Sequence, residues 1–131
     1  MKQHNENAIA VSNYLSNHPK IEKVFFPGND KRHKEIAEKQ MDGFGGMMSF
    51  VIDSDINGVK TFLKNLNLFT LAESLGGVES LIEHPAIMTH ASIDPSIRQK
   101  LGISETLLRI SVGIEDVDDL ISDLDQALSK I

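Results

Sequence analysis

TLLRISVGIEDVDDLISDLDQAL, residues 106–128, is the stretch whose reading decides the fold. Thr106 to Val112 alternates with the period of a strand: Leu108, Ile110 and Val112 share one face, Arg109 and Ser111 the other. From Glu115 the period becomes helical. Val117, Leu120, Ile121, Leu124, Leu128 and Ile131 form one apolar stripe. Glu115, Asp116, Asp118 and Asp119 crowd the positive end of the helix dipole and Lys130 lies near the negative end. The six acids between Glu115 and Asp125 carry no calcium-loop pattern and are expected on a solvated helix face. A strand feeding such a helix predicts an α+β sandwich, a sheet with helices packed mainly on one face.

Working outward, Met47–Ile52 (MMSFVI) is almost continuously apolar and bounded by turns, as a central strand should be. Asp53 or Asp55 then caps a helix over 56–65 with Val59, Phe62 and Leu63 inward. Leu68–Ala72 reads as a strand, and Val78–Glu83 is too short to separate strand from helical turn. Asp94-Pro95 opens a helix running to about Leu101, with Gly102 as its stop. Towards the N-terminus, a helix is expected over 5–15 with Asn5 or Asn7 as cap, ended at Ser16-Asn17-His18-Pro19. Ile21–Phe26 reads as a strand, and Lys31–Gln40 as a short helix with Ile36 and Ala37 inward.

The chain has 131 residues, a net charge of −6 and no cysteine. That length suits one domain burying roughly two thirds of its extended-chain surface, and is short for a complete metabolic enzyme. Without cysteine there is no disulfide, no thiolate nucleophile and no cysteine-ligated metal. The acidic balance disfavours nucleic acid as a partner, and Lys31-Arg32-His33-Lys34 reads as a solvated face. No apolar run is long enough for a spanning helix, so no membrane association is expected.

Among the charges, Arg109 is the most informative. It projects from a strand between buried neighbours, positioned either for a salt bridge across the sheet or for a bidentate grip on a carboxylate or phosphate. Glu73-Ser74-Leu75-Gly76-Gly77 follows a strand and has glycines where backbone can approach a ligand, yet fits neither dinucleotide nor P-loop spacing. As a raw motif it reads as a tight turn, and so does 42–47 with its three glycines. Ser74 has no nucleophile-elbow context. Among the histidines there is no HExxH and no metal site is expected; His84 and His90 are read as packed side chains.

Three blocks add more than periodicity can. Gly43–Phe50 (GFGGMMSF), Leu68–His90 (LFTLAESLGGVESLIEHPAIMTH) and Gly102–Leu120 (GISETLLRISVGIEDVDDL) closely resemble the C-terminal domain of the cysteine/methionine-metabolism family of pyridoxal-phosphate enzymes. Its members include cystathionine gamma-synthase and the cystathionine lyases. A weaker match runs over Asn5–Gln40; there Phe25-Phe26-Pro27-Gly28 departs from the tyrosine usual before Pro-Gly. The resemblance implies the small C-terminal domain of fold-type I transferases, one domain overall. Residues 1–42 would join an absent large domain and 43–131 would form the core.

The resemblance also implies roles. Arg109 looks like the arginine that clamps the substrate α-carboxylate, with Ser74 and the backbone at Leu75 as adjoining contacts. Ser74 would also lie near the cofactor, Thr89 beneath the active site, and Glu73 where the synthase and gamma-lyase branch biases substrate choice. The cofactor would be pyridoxal 5'-phosphate in the full-length enzyme. None of the ten lysines, however, has the setting of the cofactor lysine. The isolated chain is therefore expected to contain no catalytic residue, to bind no cofactor and to be inactive. Implied partners are the large domain, amino acids such as O-acyl-homoserine, cysteine or cystathionine, and further subunits of a cytoplasmic homotetramer. The alternative is a standalone binding or regulatory module on the same fold.

Overall fold

A computed structural model describes residues 1–29 and 31–131, with 31–33 described by their backbone alone. The elements in chain order are α1 (Lys2–Asn17), β1 (Ile21–Phe25), α2 (Lys31–Gln40), β2 (Met47–Ile52), α3 (Ile56–Asn65), β3 (Thr70–Leu71), β4 (Leu81–Glu83), α4 (Pro95–Lys100), β5 (Leu107–Ser111) and α5 (Val117–Leu128). The strands form one sheet in the order β1-β2-β5-β4-β3. Every pairing is antiparallel except β3 with β4.

One face of the sheet carries the core. Met48, Phe50 and Ile52 of β2, Leu108 and Ile110 of β5 and Ile82 of β4 are buried there with Val112. Onto them pack Ala8, Val11 and Leu15 from α1, Val59 and Phe62 from α3, and Leu120, Leu124, Ala127 and Leu128 from α5. Phe50 and Phe62 meet edge to face with centroids 6.3 Å apart. This is the α+β arrangement expected, and burial of these side chains is its main driving force.

Local chemistry explains where the elements start and stop. Asp55 caps α3, its carboxylate accepting from Asn57 and Gly58 N–H at 2.9 and 2.8 Å. Asp94 and Asp116 do the same for α4 and α5. Gly102 takes a φ of +78° just past α4, a conformation that glycine adopts without steric cost. The three-residue segment 81–83 is a strand, and Leu68–Ala72 shortens to the two-residue β3 at the sheet edge.

Three expectations are corrected. α1 begins at Lys2, and neither Asn5 nor Asn7 caps it. Both amides are used across the fold instead: Asn5 Oδ1 accepts from Phe44 N–H at 2.6 Å, and buried Asn7 donates to the Gly113 and Glu115 carbonyls at 3.1 and 2.8 Å. Ile36 is exposed, and Ala37 alone of the pair is buried, because this short, charged helix turns only a narrow stripe inward. The acids of 115–125 are not all solvated. Asp123 is buried, and Glu115 accepts from both the backbone N–H and the hydroxyl of Ser80, at 2.6 and 2.9 Å. The basic run at 31–34 lies partly outside the described residues; Lys34 is exposed and 3.9 Å from Glu38.

Candidate functional site

The second face of the sheet holds the chemistry. Register places Phe25, Ser49, Arg109 and Glu83 in one row across β1, β2, β5 and β4. Arg109 is fixed there by the alternation that sends Leu108 and Ile110 into the core. Its Nη1 lies 2.7 Å from Oε2 of Glu83, whose side chain is only 1% exposed. At that distance the two groups form a close ion pair, with the carboxylate shielded from solvent. Nη2 donates to the carbonyls of Glu73 and Ser74 at 3.0 and 3.4 Å. A guanidinium has five N–H groups, so donors remain for an anionic ligand.

The loop that Arg109 touches is held from beneath at four points. Gly76 N–H donates to the Ser111 hydroxyl at 2.8 Å, and Gly76 itself has φ +77°. The Gly77 carbonyl lies 3.1 Å from His4 Nε2, and the Val78 carbonyl accepts from Ile114 N–H at 2.9 Å. Ser80, gripped by Glu115, accepts from Gly113 N–H at 2.8 Å. A Cβ at Gly113 would stand 2.3 Å from the Val78 carbonyl oxygen, so no other residue fits without moving the loop. The turn is short and glycine-rich, as expected, and it is also rigidly seated.

The structure brings most of the anticipated residues together. Glu73 and Ser74 reach Arg109 through their carbonyls, while the Glu73, Ser74 and Leu75 residues themselves are exposed. Leu75 follows them in the turn with its side chain exposed, and makes no hydrogen bond to Arg109. Thr89 joins one step removed, donating its hydroxyl to Glu83 Oε1. Glu83 is the member that sequence reasoning missed. It is the register of the three-residue β4 against β5 that sets this acid opposite the arginine. His84 is fully buried with Nε2 2.8 Å from the Glu105 carbonyl, a packed histidine as anticipated.

Of the groups gathered on this face, the Arg109 guanidinium is the one whose charge and remaining donors can orient an anion. The fold is that of a small α+β domain, and its open sheet face carries one arginine-centred polar cluster. The whole of 1–129 matches the family of Cys/Met metabolism PLP-dependent enzymes, and the chain belongs to that family. It is 54% identical to cystathionine gamma-lyase of Dictyostelium discoideum over 99% of this chain and 34% of the relative. It is 55% identical to cystathionine beta-lyase of Coxiella burnetii over 98% of this chain and 33% of that protein. Cystathionine gamma-synthase of Xanthomonas oryzae, solved with aminoacrylate and cysteine, superposes with a TM-score of 0.93. That structure is 46% identical over 99% of this chain and 34% of its own. The chain thus spans about a third of the length of the relatives it matches.

The family depends on pyridoxal phosphate, but the residues gathered here do not fit that group. Forming its covalent link needs a lysine amine, and among the described residues the partners of Arg109 are Glu83, Glu73 and Ser74, with no lysine. Lys20 donates on the opposite side of the domain to the Leu128 and Ile131 carbonyls, and Lys2 and Lys34 sit in surface pairs with Glu6 and Glu38. Among the described residues, no helix is long and apolar enough to cross a membrane.

Proposed function

We propose that this chain is the C-terminal domain of a pyridoxal-phosphate-dependent transferase or lyase of sulfur amino-acid metabolism, and that its contribution is the site for the substrate α-carboxylate. The observation that carries the reading is Arg109: a guanidinium locked in plane on the open sheet face, with donors left over and a glycine turn beside it. Ser74 and the Leu75 backbone complete the carboxylate contacts. Glu73 faces the remainder of the amino acid, and Thr89 supports the floor. The preceding large domain supplies the cofactor lysine, so the 131 residues alone bind no cofactor and turn nothing over. The complete protein is a cytoplasmic homotetramer acting on O-acyl-homoserine, cysteine or cystathionine. By holding the carboxylate, Arg109 keeps the reacting bond aligned, a contribution of position and not of bond-making.

The test is a fusion in which residues 1–131 replace the corresponding third of the Xanthomonas oryzae synthase. Cystathionine formation by the fusion, with KM for the amino-acid substrate rising about ten-fold or more in Arg109→Lys, is the expected result. A KM within two-fold of the parent fusion, on the order of 0.4 kcal/mol, removes Arg109 from carboxylate binding.

A further inference from the structure

We infer that Glu83 is the positioning residue for Arg109, and that Thr89 and His90 position Glu83 in turn; this rests on the carboxylate-site reading above. An arginine side chain on a sheet face has many rotamers, and a bidentate grip needs one plane. Here one edge is held by the Glu83 carboxylate and the other by the Glu73 and Ser74 carbonyls. Glu83 could not hold anything if it were itself mobile. It is 1% exposed, its backbone is paired with Arg109 across β4 and β5, and its Oε1 takes the Thr89 hydroxyl proton.

The direction of each bond follows from counting protons. Thr89 has one hydroxyl proton, and a carboxylate can only accept, so that proton goes to Glu83. The 2.7 Å contact between Thr89 Oγ1 and His90 Nδ1 therefore has the imidazole as donor, which assigns the Nδ1–H form to His90. The turn carrying both residues is pinned by Arg98, whose Nη1 donates to the Ala86 and His90 carbonyls at 2.9 and 3.4 Å. A chain of contacts thus runs from Arg98 through the 86–90 turn, Thr89 and Glu83 to the guanidinium. Glu83 Oε2 meets Nη1 while the Glu73 and Ser74 carbonyls meet Nη2, so the guanidinium is held on two sides by groups that are themselves fixed.

Two readouts test this. In the fused enzyme, Glu83→Gln raises KM for the amino-acid substrate about ten-fold with kcat within about three-fold, because orientation is lost and reacting groups are untouched. Thr89→Val gives a smaller rise in KM, and Thr89→Ser, which keeps the hydroxyl, restores the parent value. In the 131-residue chain, nitrogen-15 NMR of Arg109 shows separate slowly rotating Nη signals, which merge in Glu83→Gln and in Thr89→Val but not in Thr89→Ser. An unchanged or lower KM in Glu83→Gln, or Nη signals that stay resolved, overturns the proposal. If Arg109→Lys leaves KM unchanged, the carboxylate reading itself fails, whereas a response in Arg109→Lys without one in Glu83→Gln sinks only the positioning role. The NMR arm decides where the fusion has no turnover, and the Thr89 pair decides where Glu83→Gln does not fold.

Discussion

Replacing Asp123 by alanine should remove more stability than replacing any other acid of α5. The carboxylate is 5% exposed and works as a cap for a different segment. Its Oδ1 accepts from Asn67 N–H at 2.8 Å, and its Oδ2 from Leu68 and Phe69 N–H at 2.8 and 3.2 Å. Alanine would strand three backbone donors, one of them, Phe69 N–H, buried. A hydrogen bond to a charged group is worth roughly 1.5–3 kcal/mol and a stranded buried donor about 1–3 kcal/mol. Water can reach the outer two donors, so the sum is about 3–5 kcal/mol. That is a large share of the 5–15 kcal/mol that holds a typical domain together, and it corresponds to a fall in Tm of roughly 10–15 °C. Asparagine is a poor substitute, because its amide N–H groups would face the Leu68 and Phe69 donors. Urea unfolding followed by far-ultraviolet circular dichroism at neutral pH measures both variants. A loss below about 1 kcal/mol for Asp123→Ala would refute the reasoning.

The same residue sets an acid limit. Burial alone would raise the Asp123 carboxyl, but the N–H groups of Leu68, Asn67 and Phe69, with the Gln126 amide, outweigh it and hold the group below the usual range. A depressed folded value means that this stabilisation is complete above the unfolded value, about 3.9, and is lost as pH falls through the lower folded value. His84 acts in a separate window. Burial lowers its imidazole, with Lys60 and Arg98 adding and Glu105 opposing, so the fold carries it neutral. Stability is therefore expected to decline as pH drops below about 6.5, by up to 1.4 kcal/mol per unit, and His84→Gln should flatten that limb. His18, also lowered by burial, leaves a residual slope that urea midpoints at pH 5 to 7.5 would resolve. Asn7→Ala strands the Gly113 and Glu115 carbonyls; a loss of about 1–3 kcal/mol is expected, with faster amide exchange at Gly76 to Ser80. Unchanged exchange there would separate α1 from the turn.

Much of the fold was readable because its boundaries are set locally. α2, β2 and α3 fall where capping aspartate, glycine breaks and apolar period put them, since each signal lies within a few residues of the element it controls. What escaped depends on contacts distant in sequence. Asn5 and Asn7 look like caps, yet their partners at Phe44, Gly113 and Glu115 lie 39 to 108 residues away. Asp123 is disguised among acids, although its place three after Leu120 and four before Ala127 puts it on the buried stripe. The placing of Arg109 on the sheet face away from the core was legible from alternation alone, whereas Glu73, Ser74 and Thr89 were singled out only by the family resemblance. Glu83 needed the register of β4 against β5, which a three-residue strand specifies too weakly to read.

The central claim is that Arg109 recognises a carboxylate as such, and substrate discrimination measures this most directly. Because Arg109→Ala would leave Glu83 buried and unpaired, the clean variant removes both charges, Glu83→Gln with Arg109→Met. In the fusion described above, kcat/KM for the amino-acid substrate is compared with that for its α-carboxamide. The account predicts a preference for the acid of about 100-fold or more in the parent fusion, collapsing to within about three-fold in the double variant. A double variant that still prefers the acid by the parent ratio would contradict it, and the carboxylate would have to be held elsewhere in the enzyme.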